Sequence, residues 1–215
     1  MELVDRCGDD LSVVNFARAS FGKLQTEPQE GDDRLINFLM RNRHGSPFEA
    51  IDFTFHVKAP LFVVREWQRH RIASYNELSG RYVELEHEFY VPDLDAIRSQ
   101  VGKPGNYTFR AMDDEAAMRM RIVIMEICEK AFDAYQLMLE AGLAREVART
   151  VLPLATYTQF FFKTNARSLM NFLSLRNANS AMHEIQLYAQ AIEEKFQQTC
   201  PLTYEAFVKN GRVAP

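Results

Sequence analysis

The chain has 215 residues, 47% of them hydrophobic and 25% charged, which is the balance of a folded globule and excludes a disordered chain. A formal net charge of −4 and a pI near 5.8 exclude a general nucleic-acid binder with a broad basic surface, though not a small basic pocket. No run of ~18 apolar residues suggests a membrane span, and "MELVDRCGDD" lacks the charged and apolar regions of a secretory signal, so a cytoplasmic protein is expected.

In chain order, "DDRLINFLMRNRH" predicts a helix, with aspartates suited to its N-cap and Leu35, Phe38 and Leu39 at helical spacing. "HGSPFEA" reads as a turn. "FEAIDFTFHVKAP" alternates Ile51, Phe53, Phe55 and Val57 with polar residues, the period of a strand with one buried face. Pro60 suits the first position of a helix, "PLFVVREWQRH", with Val63, Val64 and Trp67 on one side and Arg65, Glu66 and Arg69 on the other. "RYVELEHEFYVP" has a patchy strand pattern, and "SQVGKPGNYTFR" reads as a surface loop.

From about Asp113 to Gly142 runs the longest helical segment. Its stripe through Met120, Ile124, Ile127, Ala131, Tyr135 and Met138 has further apolar residues beside it, which suggests burial against a partner subunit. "GLAREVARTVLP" predicts a short helix, "TYTQFFFKTN" a strand and "ARSLMNFLSLR" a helix. "SAMHEIQLYAQAIEEKFQQ" is amphipathic through Ile185, Ala189, Ile192 and Phe196. Strands arrive in runs rather than in regular βαβ units, so the expected class is α+β, in one domain over 1–215.

Familiar catalytic signatures are absent. There is no GxGxxG, no GxxxxGK[ST], no GxSxG and no HExxH. Cys7, Cys128 and Cys200 form no CxxC pair, and the five histidines lack metal spacing. What stands out is "RHRIASYNELSGRY", residues 69–82. Arginine suits planar, bidentate binding of phosphate or carboxylate, and Ser74, Asn76, Ser79 and Gly80 add small polar groups that allow close approach. Arg176 is a second anomaly, because it continues the apolar phase of Leu169, Phe172 and Leu173. A cation there needs a partner or a ligand, provided the helix reaches it. These residues point to a polyanionic small ligand, a nucleotide. Two classes stay open at this point: an enzyme, and a non-catalytic nucleotide- or RNA-binding module, which would show a steep salt dependence.

The stretch 69–82 resembles the signature RHRxxSxNExSxRY of the flavin-dependent thymidylate synthase family at every defined position. "HGSPFEAIDFTFHVKAPLFVVREWQRHR", "REVARTVLPL" and "NARSLMNFLSLR" resemble that family's segments in the same order. The resemblance implies a helix-rich α+β fold around a small, mainly antiparallel sheet, assembled as a homotetramer with active sites shared between subunits. It implies a methyltransferase that converts dUMP to dTMP, with methylenetetrahydrofolate as carbon donor, NADPH as reductant and FAD as cofactor. No enzyme cysteine nucleophile, metal, nucleic acid or membrane is implied. By position, Arg69, His70, Arg71 and Glu77 would contact FAD, with Ser46, Asn165, Arg167 and Asn171. The dUMP site would use Glu66, Gln68, Arg69, Glu77, Ser79, Gly80 and Arg81. Arg149 would join them on the phosphate, and Arg176 would face the uracil and stabilise its ionised form. The family carries Gln or Glu at the position of Glu66, and His44 begins a segment where it has a histidine near the flavin.

Overall fold

The computed structural model describes residues 1–103 and 106–215. In chain order the elements are β1 (Glu2–Cys7), α1 (Asp10–Arg18), α2 (Asp32–Arg41), β2 (Asp52–Pro60), α3 (Leu61–Trp67), β3 (Ser74–Glu77) and β4 (Arg98–Lys103). Then follow β5 (Asn106–Ala111), α4 (Asp114–Glu140), α5 (Arg145–Ala148), β6 (Tyr157–Asn165), α6 (Ala166–Arg176), α7 (His183–Thr199) and α8 (Pro201–Lys209). Helices dominate and the strands form small antiparallel sheets, so the class is α+β, as expected. Contacts divide the chain into two compact units. One comprises 1–58, 65–77 and 159–215, the other 59–64 and 78–158.

The first unit is built on a sheet of order β1-β2-β6-β3. Phe53, Phe55 and Val57 on β2 are fully buried, as their alternation predicts. Phe160 and Phe162 on β6 lie on the same side, and Trp67 fills the space beside them. Its ring meets Phe160 at 5.3 Å, Phe162 at 5.5 Å and Phe172 of α6 at 5.0 Å. Each such ring contributes about 1.5–3 kcal/mol when fully buried, so this aromatic cluster fixes where α3 stops and α6 begins. On α7, Ile185, Ala189, Ile192 and Phe196 are all buried at the predicted phase.

Three expectations for the first half of the chain are corrected. Pro60 closes β2 instead of opening a helix, and α3 ends at Trp67, so Gln68 to Ala73 form an irregular connection. On α2 the buried apolar residues are Ile36, Leu39 and Met40, while Phe38 is exposed. The α2 aspartates also do not cap it. Gly31 holds the N-cap position, and Asp32 accepts from the backbone N–H of Gln29 (2.8 Å) and from Gln25 Nε2 (2.7 Å).

Behind α6 lies a polar knot. Glu193 of α7 accepts two hydrogen bonds from Arg212 (2.7 and 2.5 Å), one from Asn177 Nδ2 (2.5 Å) and one from the Tyr204 hydroxyl (2.9 Å). Burial alone would raise the Glu193 pKa. The hydrogen bonds from Arg212, Asn177 and Tyr204, with the Arg212 charge, outweigh it and hold the carboxyl below its ordinary 4.5. The unfolded chain therefore holds this proton more tightly than the folded one. The stabilisation is complete above about pH 4.5 and is lost as pH falls through the lower folded value. The melting-temperature gap between wild type and Glu193→Gln, followed from pH 7 to 3, should be widest at pH 7 and close under acid. A gap that stays constant would place the contribution elsewhere.

The second unit centres on α4, which runs 27 residues. Ala117, Cys128 and Tyr135 are buried, and the Tyr135 hydroxyl accepts from the Leu85 N–H at 3.1 Å. The expected stripe is only partly covered: Met120 and Ile127 are exposed, as are Met118, Ile122, Val123 and Met125. The segment 81–92 forms no regular strand beyond an isolated bridge from Phe89 to Thr156. The stretch read as a surface loop instead supplies the antiparallel pair β4–β5, exposed throughout. Gly102 is required there. Its φ is +115°, and a Cβ would lie 2.4 Å from the Asn106 carbonyl oxygen. Pro104 and Gly105, part of that same reading, lie outside the described residues.

Candidate active site

The connection after α3 is tied down from beneath by three carbonyls. The Tyr75 hydroxyl donates to the carbonyls of Trp67 (3.2 Å) and His70 (2.8 Å), and Thr164 Oγ1 donates to that of Ile72 (3.1 Å). Burial pushes the Tyr75 pKa up to about 12, so the hydroxyl remains a donor at any physiological pH. The pinned loop leaves Arg69 and Arg71 exposed and turns His70 partly inward. It forms one wall of a cavity of about 890 Å³ within the first unit.

Opposite stands α6. Asn165 caps it by accepting from the Ser168 N–H at 2.9 Å, and the helix continues through Arg176. The out-of-phase arginine is therefore real, and it is paired. Arg176 Nη1 donates to Glu66 Oε2 (2.6 Å), Nη2 to the Glu66 carbonyl (3.1 Å) and Nε to His70 Nε2 (2.9 Å). Its side chain is 17% exposed. Burial, and next the Arg176 charge, bring the His70 pKa down to about 4, so the imidazole is neutral at pH 7. Because Nε2 accepts from Arg176, the ring proton resides on Nδ1.

Arg167, near the N-terminal end of α6 and about two and a half turns before Arg176, donates from Nη1 to Glu49 Oε1 (2.7 Å) and from Nε to the Pro215 carbonyl (2.8 Å). Asn171 lies between the two arginines on the cavity side, and Ile72, Phe162 and Leu175 supply apolar wall. Arg69 and Arg71 make no ion pair with any described residue. The cavity thus offers two unneutralised guanidiniums, a third at its rim, a fourth aimed inward, and a flat apolar surface. That combination suits an elongated anion with an aromatic ring.

Of the residues singled out in the sequence, the structure brings Glu66, Arg69, His70, Arg71, Asn165, Arg167, Asn171 and Arg176 onto this one cavity. Gln68 and Glu77 stand beside it, with Gln68 Nε2 donating to Glu77 Oε2 at 3.3 Å. Ser46, exposed, opens a 3₁₀ turn, Ser46–Ala50, and does not line the cavity; nor does His44, whose ring tilts against Phe38.

Ser79, Gly80, Arg81 and Arg149 belong to the second unit and form a group there. The Ser79 carbonyl accepts from the Tyr82 and Val83 N–H groups, Gly80 packs on Arg149, and Arg81 pairs with Glu146 at 3.0 Å. Besides Ile72, Phe162, Ser168 and Leu175, sequence reasoning missed four residues of the cavity wall outside the α-helices, Glu49, Thr164, Ala214 and Pro215. Glu49 carried a faint signal as an acid in the turn before β2. The other three carried none.

The family model described as Thymidylate synthase complementing protein matches residues 2–202. The chain belongs to this family. A flavin-dependent thymidylate synthase of Thermotoga neapolitana is 51% identical over 209 residues, 97% of this chain and 90% of that relative. One from Thermus thermophilus is 46% identical over 207 residues, covering 96% and 74%. Among solved structures, a UMP/dUMP methylase, PolB, from Streptomyces cacaoi bound with 5-Br dUMP superposes with a TM-score of 0.91. It is 42% identical, over 100% of this chain and 96% of that one. A second structure of PolB, bound with 5-Br UMP, gives 0.90. PolB therefore shares the helix-rich α+β frame of this chain over its whole length.

Proposed function

We propose that this chain is a flavin-dependent thymidylate synthase, methylating dUMP to dTMP with methylenetetrahydrofolate as carbon donor and NADPH as reductant through bound FAD. The observation that carries the reading is the cavity itself. A preformed, partly buried Arg176 and a neutral His70 stand on one side of it, with exposed, unpaired Arg69 and Arg71 on the same cavity. The residues present fit FAD: Ile72, Phe162 and Leu175 offer apolar surface to a flat ring, and Arg69 and Arg71 offer charge to a pyrophosphate. Bound FAD would supply the hydride-transfer chemistry.

The chain's own residues have separate tasks in this reading. Arg69, His70, Arg71, Asn165, Arg167 and Asn171 bind and orient the flavin, with Ser46 and Glu77 at the periphery. Glu66, Gln68, Arg69, Glu77, Ser79, Gly80, Arg81 and Arg149 take the nucleotide, Arg149 on its phosphate. Arg176 faces the uracil and stabilises negative charge developing on the ring. Glu66, holding the Arg176 guanidinium at 2.6 Å, keeps it aimed before substrate arrives.

The cysteines support a route without a thiol nucleophile. None lines the cavity among the described residues. Cys128 and Cys200 are buried, and burial pushes both thiols up. We further infer one functional domain over 1–215, since the family match spans segments of both units. A homotetramer with shared sites is supported by two exposed apolar stripes on opposite sides of α4, Met118, Ile122 and Met125 on one and Met120, Val123 and Ile127 on the other, more apolar surface than a helix leaves in water. A cytoplasmic location follows from the substrates proposed. No helix among the described residues is long and apolar enough to cross a membrane.

The test is anaerobic dTMP formation with dUMP, methylenetetrahydrofolate, FAD and NADPH, each omitted in turn. Product is expected only in the complete mixture. Because PolB is a UMP/dUMP methylase, UMP replaces dUMP in a parallel series, and methylated UMP there would widen the nucleotide specificity. No product from folded, flavin-bound protein in either series would overturn the reading.

A further inference from the structure

Two arginines of the cavity, Arg176 and Arg167, are each held from inside by an acid, yet both are also held from outside by one common device. Asn177 directly follows Arg176 and caps α6, its N–H donating to the Leu173 carbonyl at 3.0 Å. Its side chain donates to Glu193 at 2.5 Å, and Glu193 is gripped by both terminal nitrogens of Arg212. The Arg212 carbonyl in turn accepts from Ser174 Oγ, in the last turn of α6, at 2.6 Å.

From Arg212 the chain runs straight to the other arginine. Arg43 Nη1 donates to the carbonyls of Val213 (3.2 Å) and Ala214 (2.8 Å), and the next carbonyl, that of Pro215, accepts from Arg167 Nε. The backbone is shaped for this path. Gly211 and Arg212 have φ of +78° and +56°, and Arg43 has +59°, a conformation that non-glycine residues adopt only where the surroundings hold them.

We propose that Glu193 and Arg212 form a positioning clamp that sets the aim of both cavity arginines, Arg176 through Asn177 and the last turn of α6, and Arg167 through the 212–215 segment. The inference rests on the functional reading above for the ligands each arginine meets. Neither clamp residue touches the cavity. Their carboxylate–guanidinium pair is bidentate, with Glu193 only 9% exposed although the Arg212 side chain is 35% exposed, and the two-point grip anchors the guanidinium on the enclosed carboxylate. Supporting groups of this kind matter because a misplacement of about 1 Å in a reacting group can lower a rate by about 10²-fold.

The two branches can be cut separately. Asn177→Ala breaks the α6 branch alone. Arg43→Asn, which tolerates the positive φ and is too short to reach the carbonyls, breaks the 212–215 branch alone. Glu193→Gln weakens both. Expected for Asn177→Ala is a loss of about tenfold in dUMP-dependent kcat/KM with flavin affinity unchanged. Arg43→Asn should show the reverse split, and Glu193→Gln both losses.

A readout independent of turnover is the His70 titration by NMR. It should move up from about 4 toward 6.5 in Asn177→Ala and Glu193→Gln, as Arg176 shifts off the ring, and stay put in Arg43→Asn. If His70 moves in wild-type-like folded variants of a protein that makes no dTMP, the clamp stands and the synthase reading falls. If all three variants lose both functions in proportion to their folded fraction, or none changes anything, the clamp is overturned. Should Glu193→Gln fail to fold, the split between the other two decides.

Discussion

An Arg176→Ala variant is expected to form dTMP about 10²- to 10³-fold more slowly than wild type, the cost of removing a pre-placed donor from developing negative charge. The size follows from how the side chain is held. Three hydrogen bonds to Glu66 and His70 fix it before any ligand is present, and at 17% exposure little water competes with it. Such a group contributes its charge without reorganising during the reaction. Dissociation of dUMP, measured by calorimetry, should weaken, while the flavin absorbance of the purified protein should persist, because Arg69, Arg71 and Arg167 remain.

His70 offers a second observable in the same variant. Its pKa should rise from about 4 but stop short of 6.5, since burial, the larger cause, survives the loss of the Arg176 charge. Arg176→Lys should recover part of the dUMP affinity but less of the rate, as an ammonium cannot hold Glu66 and His70 with the same fork. Equal loss of flavin and dUMP in Arg176→Ala would mark a structural arginine instead.

Arg176 also shows what a sequence can disclose about a site. Its helix is legible because Leu169, Phe172 and Leu173 repeat at helical spacing, and a cation entering that phase is conspicuous by charge alone. The arginines of residues 69–82 stand out for the same chemical reason. β2 was readable because one of its faces is wholly apolar. Where no face is buried, the signal vanishes. Among the described residues β4 and β5 pair only with each other and lie exposed, so they show no alternation, and Gly102, Pro104 and Gly105 dominate the reading of the sequence. β3 is a four-residue edge strand, "SYNE", paired on one side to β6 and too short to show a period.

The limit of α3 was hidden for another reason. Pro60 fits either a helix start or a strand end, and the long alternation of β2 decides for the strand. Ala214 and Pro215 reach the cavity only because Arg43, Ser174 and Glu193, scattered over the chain, guide the backbone there. No local pattern encodes such a path.

Gly45→Ala tests the other end of the cavity, and here the cause is space rather than backbone freedom. Gly45 has an ordinary φ of −75°. A Cβ would stand 2.4 Å from Arg167 Nε, 2.7 Å from its Cζ and 2.9 Å from the Pro215 carbonyl oxygen. Those contacts are far inside van der Waals distance, so the guanidinium must swing away and give up Pro215. Stability should hardly respond, because the Arg167–Glu49 pair is half exposed and pairs of that kind contribute about 0–1 kcal/mol.

Flavin affinity should respond strongly to the same change. A hydrogen bond to a charged group contributes about 1.5–3 kcal/mol, which corresponds to a loss of roughly ten- to a hundredfold in affinity. Fluorescence titration with FAD should reveal it, and turnover should return toward wild type when FAD is raised to saturation, since Arg176 and Glu66 are untouched. Unchanged flavin affinity in a folded Gly45→Ala protein would remove Arg167 from the flavin site. A matching loss in dUMP affinity at saturating FAD would mean that the alanine disturbs the whole cavity rather than its rim.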